Sequence, residues 1–248
     1  MGEPLNLKTT NKNQTWGIIG LGWLGHALAQ RLNDLEYLNW GTTRRTFTFG
    51  STPFPQTACD VLFLNTPPLT HLPPEAFVQM IELRAESKLI FISSTGIYCQ
   101  NSGRVTESTK PEPNSNSGHW LLETETQLRN QFADQLTIVR PGGLIGGQRH
   151  PVHSLSGRSD VPGGDSPINL IHRDDLIEII ISVAQHSKIK LLNAVAPHHP
   201  TKRSYYNDWA KKLSLSEVQF SEKGTSDRIV DSEYIDQVYR SWKHQTLG

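Results

Sequence analysis

Short runs of β-branched and aromatic residues recur along the chain, and most are followed by stretches in which apolar residues fall three and four apart. Runs of the first kind at Thr15–Ile19, Tyr37–Thr42, Asp60–Leu64, Lys88–Ser93, Leu136–Arg140 and Lys190–Val195 predict strands. Stretches of the second kind at Gly25–Leu35, Pro74–Arg84, Leu121–Gln131 and Asp174–His186 predict helices with one apolar stripe. This alternation is the signature of βαβ units, so the predicted fold class is α/β, a doubly wound parallel sheet with helices on its faces. After Pro197 the pattern becomes polar, with Tyr205–Leu213 and Ser232–Trp242 as further helices, which predicts a small C-terminal lobe. Two stretches interrupt the rhythm, Gln100–His119 and Gln148–Pro167, both rich in Ser, Pro and Gly and both following strands. Ligands in open α/β sheets lie beyond the carboxyl ends of strands, so these loops are expected to cover one. The division that follows is a sheet domain of residues 13–147 and 168–196, and a substrate-side lobe of residues 148–167 and 197–248.

Composition narrows the partners. The 24 Lys and Arg balance 24 Asp and Glu in 248 residues, so there is no basic excess for nucleic-acid phosphates and no polybasic stretch for anionic lipid. At 36% hydrophobic and 19% charged residues, the chain is expected to fold as a soluble domain. Cys59 and Cys99 are the only cysteines and neither has metal-ligand spacing, which fits a reducing compartment. No apolar run follows a charged start within Met1–Thr15, so no signal peptide is expected. The apolar run Leu176–Ala184 falls far short of the roughly 20 residues that span a bilayer. The expected location is the cytoplasm.

The first strand runs into Gly20-Leu21-Gly22-Trp23-Leu24-Gly25, a G-x-G-x-x-G at the head of a helix, with a further glycine at Gly17. Such glycines allow a tight turn, close approach of a diphosphate and close helix packing, while the helix N-terminus offers free N–H groups to the anion. A Rossmann-like dinucleotide site is therefore expected. Twenty positions beyond Gly22, where a site preferring NAD typically carries an acid for the ribose 2′-hydroxyl, the chain reads Thr42-Thr43-Arg44-Arg45. A carboxylate would repel a 2′-phosphate and a guanidinium can hold it, so the expected cofactor is NADP rather than NAD, with Thr43, Arg44 and Arg45 at the extra phosphate.

Several further segments carry a family resemblance. Leu64-Asn65-Thr66-Pro67-Pro68 ends one strand, and Phe91-Ile92-Ser93-Ser94-Thr95-Gly96-Ile97-Tyr98 is similar to an S-S-x-x-V-Y segment. Arg140-Pro141-Gly142-Gly143-Leu144-Ile145-Gly146 with Gln148-Arg149, and Asn169-Leu170-Ile171-His172-Arg173-Asp174-Asp175-Leu176, continue the match. With the glycine loop, these resemble the extended short-chain dehydrogenase/reductases of the NAD(P)-dependent epimerase/dehydratase-like group over nearly the whole chain. The resemblance implies that Ser94 hydrogen-bonds the reacting oxygen of a substrate, with Thr95 beside it. It places Asn65, Thr66, Pro67, Pro141 and Gly142 along the cofactor, and turns Arg149 toward an anionic part of the substrate. His172 and Asp175 are expected to shape and cap a helix, Tyr98 to pack, and the helices beside the serine strand to leave a homodimer open.

The sequence departs from the family at the acid/base pair. Active members carry Tyr-x-x-x-Lys on the helix after the serine strand, where an ammonium and the nicotinamide bring the phenol's proton within reach near neutrality. Aligned on Glu125, those slots hold Ser117 and Leu121; aligned on Glu123, they hold Ser115 and His119. His119, with an ordinary pKa near neutrality, is the candidate proton carrier of the loop. The Tyr239-x-x-x-Lys243 of the tail lies outside the sheet domain and is not expected to substitute. No metal is expected from His150-x-x-His153 or His198-His199, which lack accompanying ligands, and no G-x-S-x-G surrounds Ser94 for hydrolase chemistry. Two functions follow: an NADP-dependent oxidoreductase or epimerase-like enzyme acting on a polar, sugar-like or nucleotide-linked substrate, or a catalytically impaired NADP(H)-binding sensor.

Overall fold

The computed structural model describes residues 14–185 and 188–247. The first 13 residues, which hold most of the segment expected to lack a signal peptide, and the expected helix end at His186 lie outside the described residues. In chain order the elements are β1 (Thr15–Ile19), α1 (Trp23–Asp34), β2 (Leu38–Thr42), β3 (Val61–Leu64), α2 (Pro74–Gln79), β4 (Lys88–Ile92), β5 (Arg104–Val105), α3 (Asn116–Phe132), β6 (Leu136–Pro141), β7 (Gly143–Ile145), α4 (Val152–Leu155), β8 (Leu170–His172), α5 (Arg173–Gln185), β9 (Leu191–Ala194), α6 (Lys202–Lys212), β10 (Ile229–Val230) and α7 (Ile235–Val238). Six strands form one all-parallel sheet in the order β2-β1-β3-β4-β6-β9, the Rossmann-like α/β arrangement the sequence predicts. The chain leaves β1 to one side for β2 and returns to its other side for β3, so the order reverses there and opens a crevice at the strand ends.

Strand periodicity divides the core between the two faces. Trp16, Ile18, Val61, Phe63 and Ile90 face one cluster with α1 and α5, whereas Ile19, Leu62, Leu64, Leu89 and Phe91 face the other with α2 and α3. Each such fully buried side chain contributes about 1.5–3 kcal/mol. A third cluster gathers Ile145, Val152, Ile168, Tyr205, Tyr206, Ala210, Val218 and Leu247 beside the sheet. Tyr239 and Val238, although near the chain end, pack in the first cluster with α5 and not in this third one. Among the described residues no helix is long and apolar enough to cross a membrane.

Three element boundaries differ from expectation. Helix α3 begins at Asn116 rather than Leu121, because Ser115 Oγ caps it by accepting from Gly118 N at 3.1 Å. Helix α2 stops at Gln79 instead of Arg84, and beyond it Gln135 Nε2 donates to the carbonyls of Arg84 and Ser87 at 2.7 and 2.8 Å. The expected helix Ser232–Trp242 is reduced to the single turn of α7, and Tyr239 turns extended so that its hydroxyl reaches Asp175.

Candidate functional site

The site grows from the glycine loop. Gly20 has φ +105° and packs so closely on the β3 end that a Cβ would stand 2.1 Å from Asn65 O, while a Cβ on Gly25 would meet Gly20 O at 2.3 Å. Leu21 N donates to Thr42 O at 2.7 Å and Asn65 Nδ2 to Gly20 O at 3.2 Å, so both strands flanking β1 hold the turn. Gly22 is different: a Cβ there would meet nothing within 4 Å. It opens α1, whose N-terminus has no side-chain cap and no acid in its first turn. Room beside Gly22 and a helix N-terminus with neither a side-chain cap nor an acid are what an anion cradle requires. Gly17, by contrast, packs against Trp40 and Cys59 inside the fold.

A cavity of about 630 Å³ extends from this loop. Gly20, Leu21, Gly22, Thr43, Arg44, Asn65, Thr66 and Pro67 all line it, as do His71 and the Phe47-Thr48-Phe49 stretch, and no carboxylate does. A turn in which Thr46 N donates to Thr43 O at 3.0 Å, and Thr48 Oγ1 to Arg44 O, fixes the backbone around Arg44. Neither Arg44 nor Arg45 forms an ion pair among the described residues, and only Arg44 borders the cavity. Phe47 and Phe49 meet edge-to-face at 4.8 Å, and Phe49 leans on Phe77 at 4.5 Å, which makes one wall rigid and apolar. Trp23, Leu24, Gly25, Pro141 and Gly142 line neither this cavity nor the next one. Leu24 lies in the core, and Gly142 packs against Asn169 O.

A second cavity, of about 360 Å³, lies against the end of β4, where Ser93, Ser94 and Gly96 meet Ser115, Ser117, Gly118 and Leu121 of α3. Thr66 lines both cavities. The hydroxyls of Thr66 and Ser93 are buried and have no hydrogen-bond partner. Ser94 Oγ accepts from Gly96 N at 3.0 Å and opens a 3₁₀ turn over Thr95–Tyr98. Thr95 turns away from the cavity, its hydroxyl donating to Pro141 O at 3.2 Å. Both tyrosine and lysine slots of the Glu125 alignment, Ser117 and Leu121, line the cavity; in the other alignment Ser115 does so and His119 does not, being exposed on α3.

A network that sequence reasoning missed braces this cavity from behind. Glu125, fully buried on α3, accepts from Arg140 Nε on β6 at 2.9 Å and from Arg129 Nη2 at 2.9 Å. Arg140 also donates to Tyr98 Oη. Tyr98 in turn donates to Thr106 O at 3.1 Å, and burial pushes its phenol pKa up, so it packs as the resemblance implies. The only signal for this network was a charged residue at the inward position of an otherwise apolar helix stripe.

Other expected residues lie elsewhere. Arg149 is exposed and stands over the Trp23 ring at 5.1 Å, and Arg173 does the same at 4.9 Å, so Arg149 sits beside the glycine loop. Asp175 does not cap its own helix: its buried carboxylate accepts from Tyr239 Oη at 2.6 Å and from Lys243 N and His244 N at 2.8 and 3.0 Å, latching the tail to α5. Tyr239 and Lys243 are thereby accounted for. His172 stacks on His244 at 3.6 Å with 28° between planes, and Asp174 stands near both. With planes so nearly parallel, the in-plane lone pairs of the two rings do not converge on one ion, and the trio is a packed joint.

No protein-family model matches the chain. Protein YeeZ of Escherichia coli (strain K12) is 30% identical over 254 residues, covering 88% of this chain and 91% of the relative. Among solved structures, a functionally unknown conserved protein from Silicibacter pomeroyi superposes with a TM-score of 0.75 at 16% identity, covering 95% of this chain and 96% of its own. A dTDP-4-dehydrorhamnose reductase from Clostridium acetobutylicum gives 0.71 at 14%, covering 94% and 96%. RMD from Pseudomonas aeruginosa, complexed with NADPH, gives 0.65 at 16%, covering 91% and 92%.

Proposed function

Since this chain belongs to the family of Protein YeeZ, within the extended short-chain dehydrogenase/reductase-like group, we propose that it is an NADP(H)-dependent oxidoreductase or epimerase-like enzyme acting on a polar, sugar-like or nucleotide-linked substrate. The observation that carries this reading is Thr66, which is common to the arginine-bearing cavity and the serine cavity and so joins a dinucleotide crevice to a hydroxyl-lined pocket. The residues fit the cofactor. Gly22 leaves the cradle open for a diphosphate, Arg44 supplies charge for a 2′-phosphate with no carboxylate opposing it, and the orphaned hydroxyls of Thr66 and Ser93 await a polar partner. Bound there, a nicotinamide supplies or takes a hydride. Ser94 and Ser117 donate hydrogen bonds to the reacting oxygen, and water delivers the proton, since the serine cavity itself is lined by no histidine, carboxylate, lysine or tyrosine. Residues 13–147 and 168–196 bind the cofactor in this reading, and residues 148–167 and 197–248 form the substrate-side lobe. We place the protein in the cytoplasm, a location that its two free cysteines suit.

One observation favours a second reading, an NADP(H) sensor: Leu121 puts an apolar side chain in the lysine slot. NADPH oxidation across a panel of sugar and carbonyl compounds separates the two. Turnover that is lost in Ser94→Ala supports the enzyme. NADPH binding with no turnover on any compound overturns it in favour of the sensor.

A further inference from the structure

Cations in and around the C-terminal part of the chain are not all treated alike. Arg203 pairs with Asp165 at 3.2 Å and Glu222 at 3.6 Å, and Arg104 pairs with Asp231. Lys202, the first residue of α6, and Arg228, just before β10, have no acidic partner among the described residues, although both are half-buried. Ser166 ties their two segments together, its carbonyl accepting from Lys202 N at 2.9 Å and its hydroxyl from Ser226 N at 2.8 Å. Lys202 Nζ lies over Gly163, 3.4 Å from where a Cβ would stand. Arg228 is pinned at both ends: Asn169 Nδ2 donates to its carbonyl at 3.0 Å, and its Nη1 donates to Tyr98 O at 2.6 Å. The edge of the guanidinium that remains includes Nε, which is buried with no partner.

Leaving two desolvated cations unpaired costs stability, and burial lowers the pKa of both. Acids are plentiful in these loops, yet they serve Arg203, Arg104 and the Gly103 amide. The free Nε edge is the part of a guanidinium that grips a carboxylate or phosphate with two parallel hydrogen bonds. Tyr98 closes the 3₁₀ turn that starts after Ser94, and at about 2 Å rise per residue its carbonyl is about 8 Å from the serine.

We propose that Arg228 and Lys202 form the receptor for an oxyanion, a carboxylate or phosphate group, carried by the substrate a few bonds from the oxygen held at Ser94. This deepens the oxidoreductase reading and rests on it for the role of the bound anion as part of a substrate. Neither residue stands out in the sequence, because a lone basic residue in a polar loop or at the start of a polar helix has the pattern of a solvated one.

The test is calorimetric titration of the full chain with inorganic phosphate and with acetate, in an Arg44→Ala background so that the other phosphate cavity contributes little, alongside an NADPH titration of the unmodified chain. The expected result is saturable millimolar binding of at least one probe, weakened about tenfold or more by Arg228→Ala and several-fold by Lys202→Gln. The probe that binds more tightly identifies the headgroup. Should Arg228→Ala fail to fold, Lys202→Gln decides alone. Binding of neither probe, or binding that both folded variants leave unchanged, overturns the proposal even if NADPH binds normally. A chain that ignores NADPH yet holds phosphate through Arg228 refutes the cofactor reading and leaves the oxyanion receptor standing.

Discussion

The two cavities that share Thr66 differ in what they have kept. Around the glycine loop every feature a dinucleotide cradle requires is present: the strained turn at Gly20, the open Gly22, the uncapped helix and an arginine with no carboxylate against it. Around Ser94 the hydroxyls remain, but the positions of a tyrosine and a lysine hold Ser117 and Leu121. A cradle built from backbone tolerates little change, because even a Cβ on Gly20 would stand only 2.1 Å from Asn65 O; a side-chain acid/base pair can be exchanged without disturbing the fold. In the proposed reading binding and chemistry are thus separable, and each can be altered alone.

The largest effect is expected from Gly20→Ala. A Cβ at φ +105° facing Asn65 O requires the loop to move, at a cost of about 3 kcal/mol or more, and NADPH affinity measured by fluorescence titration should fall beyond detection. Unchanged affinity would show that the cradle is not where the diphosphate sits. Next comes restoration of the missing pair: Ser117→Tyr with Leu121→Lys should raise NADPH turnover about 10²-fold on any compound the natural chain accepts, with affinity for NADPH nearly unchanged. No gain would mean that proton delivery is not what the serine cavity lacks.

The smallest effect concerns neither cavity. Burial among Tyr205, Tyr206 and Trp209, with His153 nearby, lowers His150 from its ordinary 6.5 to about 4. The fold favours its neutral form, so this contribution to stability is complete above pH 6.5 and drains away as pH falls toward about 4. Because His150 is only half-buried, the loss should be about 1–2 kcal/mol in urea denaturation. Stability that stays level across that window would show that the fold does not hold His150 neutral.

Features with local causes were legible in the sequence. The strand-to-glycine-to-helix run announced the cradle, alternating apolar positions announced the two-faced sheet, and the absence of an acid near Thr42 announced an acid-free cavity. Alignment alone could not choose between Ser117 with Leu121 and Ser115 with His119; the emergence of α3 from Ser115 brings both members of the first pair into the cavity and leaves His119 outside. The aromatic wall was hidden because Phe47 and Phe49 lie in an irregular crossover, although their alternation with threonines was a readable sign of one buried side. The buried Glu125–Arg140 pair and the Asp175 latch join residues 15 and 64 positions apart, and nothing in local pattern reports a partner at that range.

The most direct test compares NADPH and NADH binding to the natural chain and to Arg44→Ala by isothermal titration calorimetry. The expected result is that NADPH binds the natural chain at least tenfold more tightly than NADH, and that Arg44→Ala removes about 1.5–3 kcal/mol from NADPH alone. If neither dinucleotide binds at millimolar concentration, or if Arg44→Ala weakens both equally, the cavity beyond Gly22 does not hold a 2′-phosphate and the account fails.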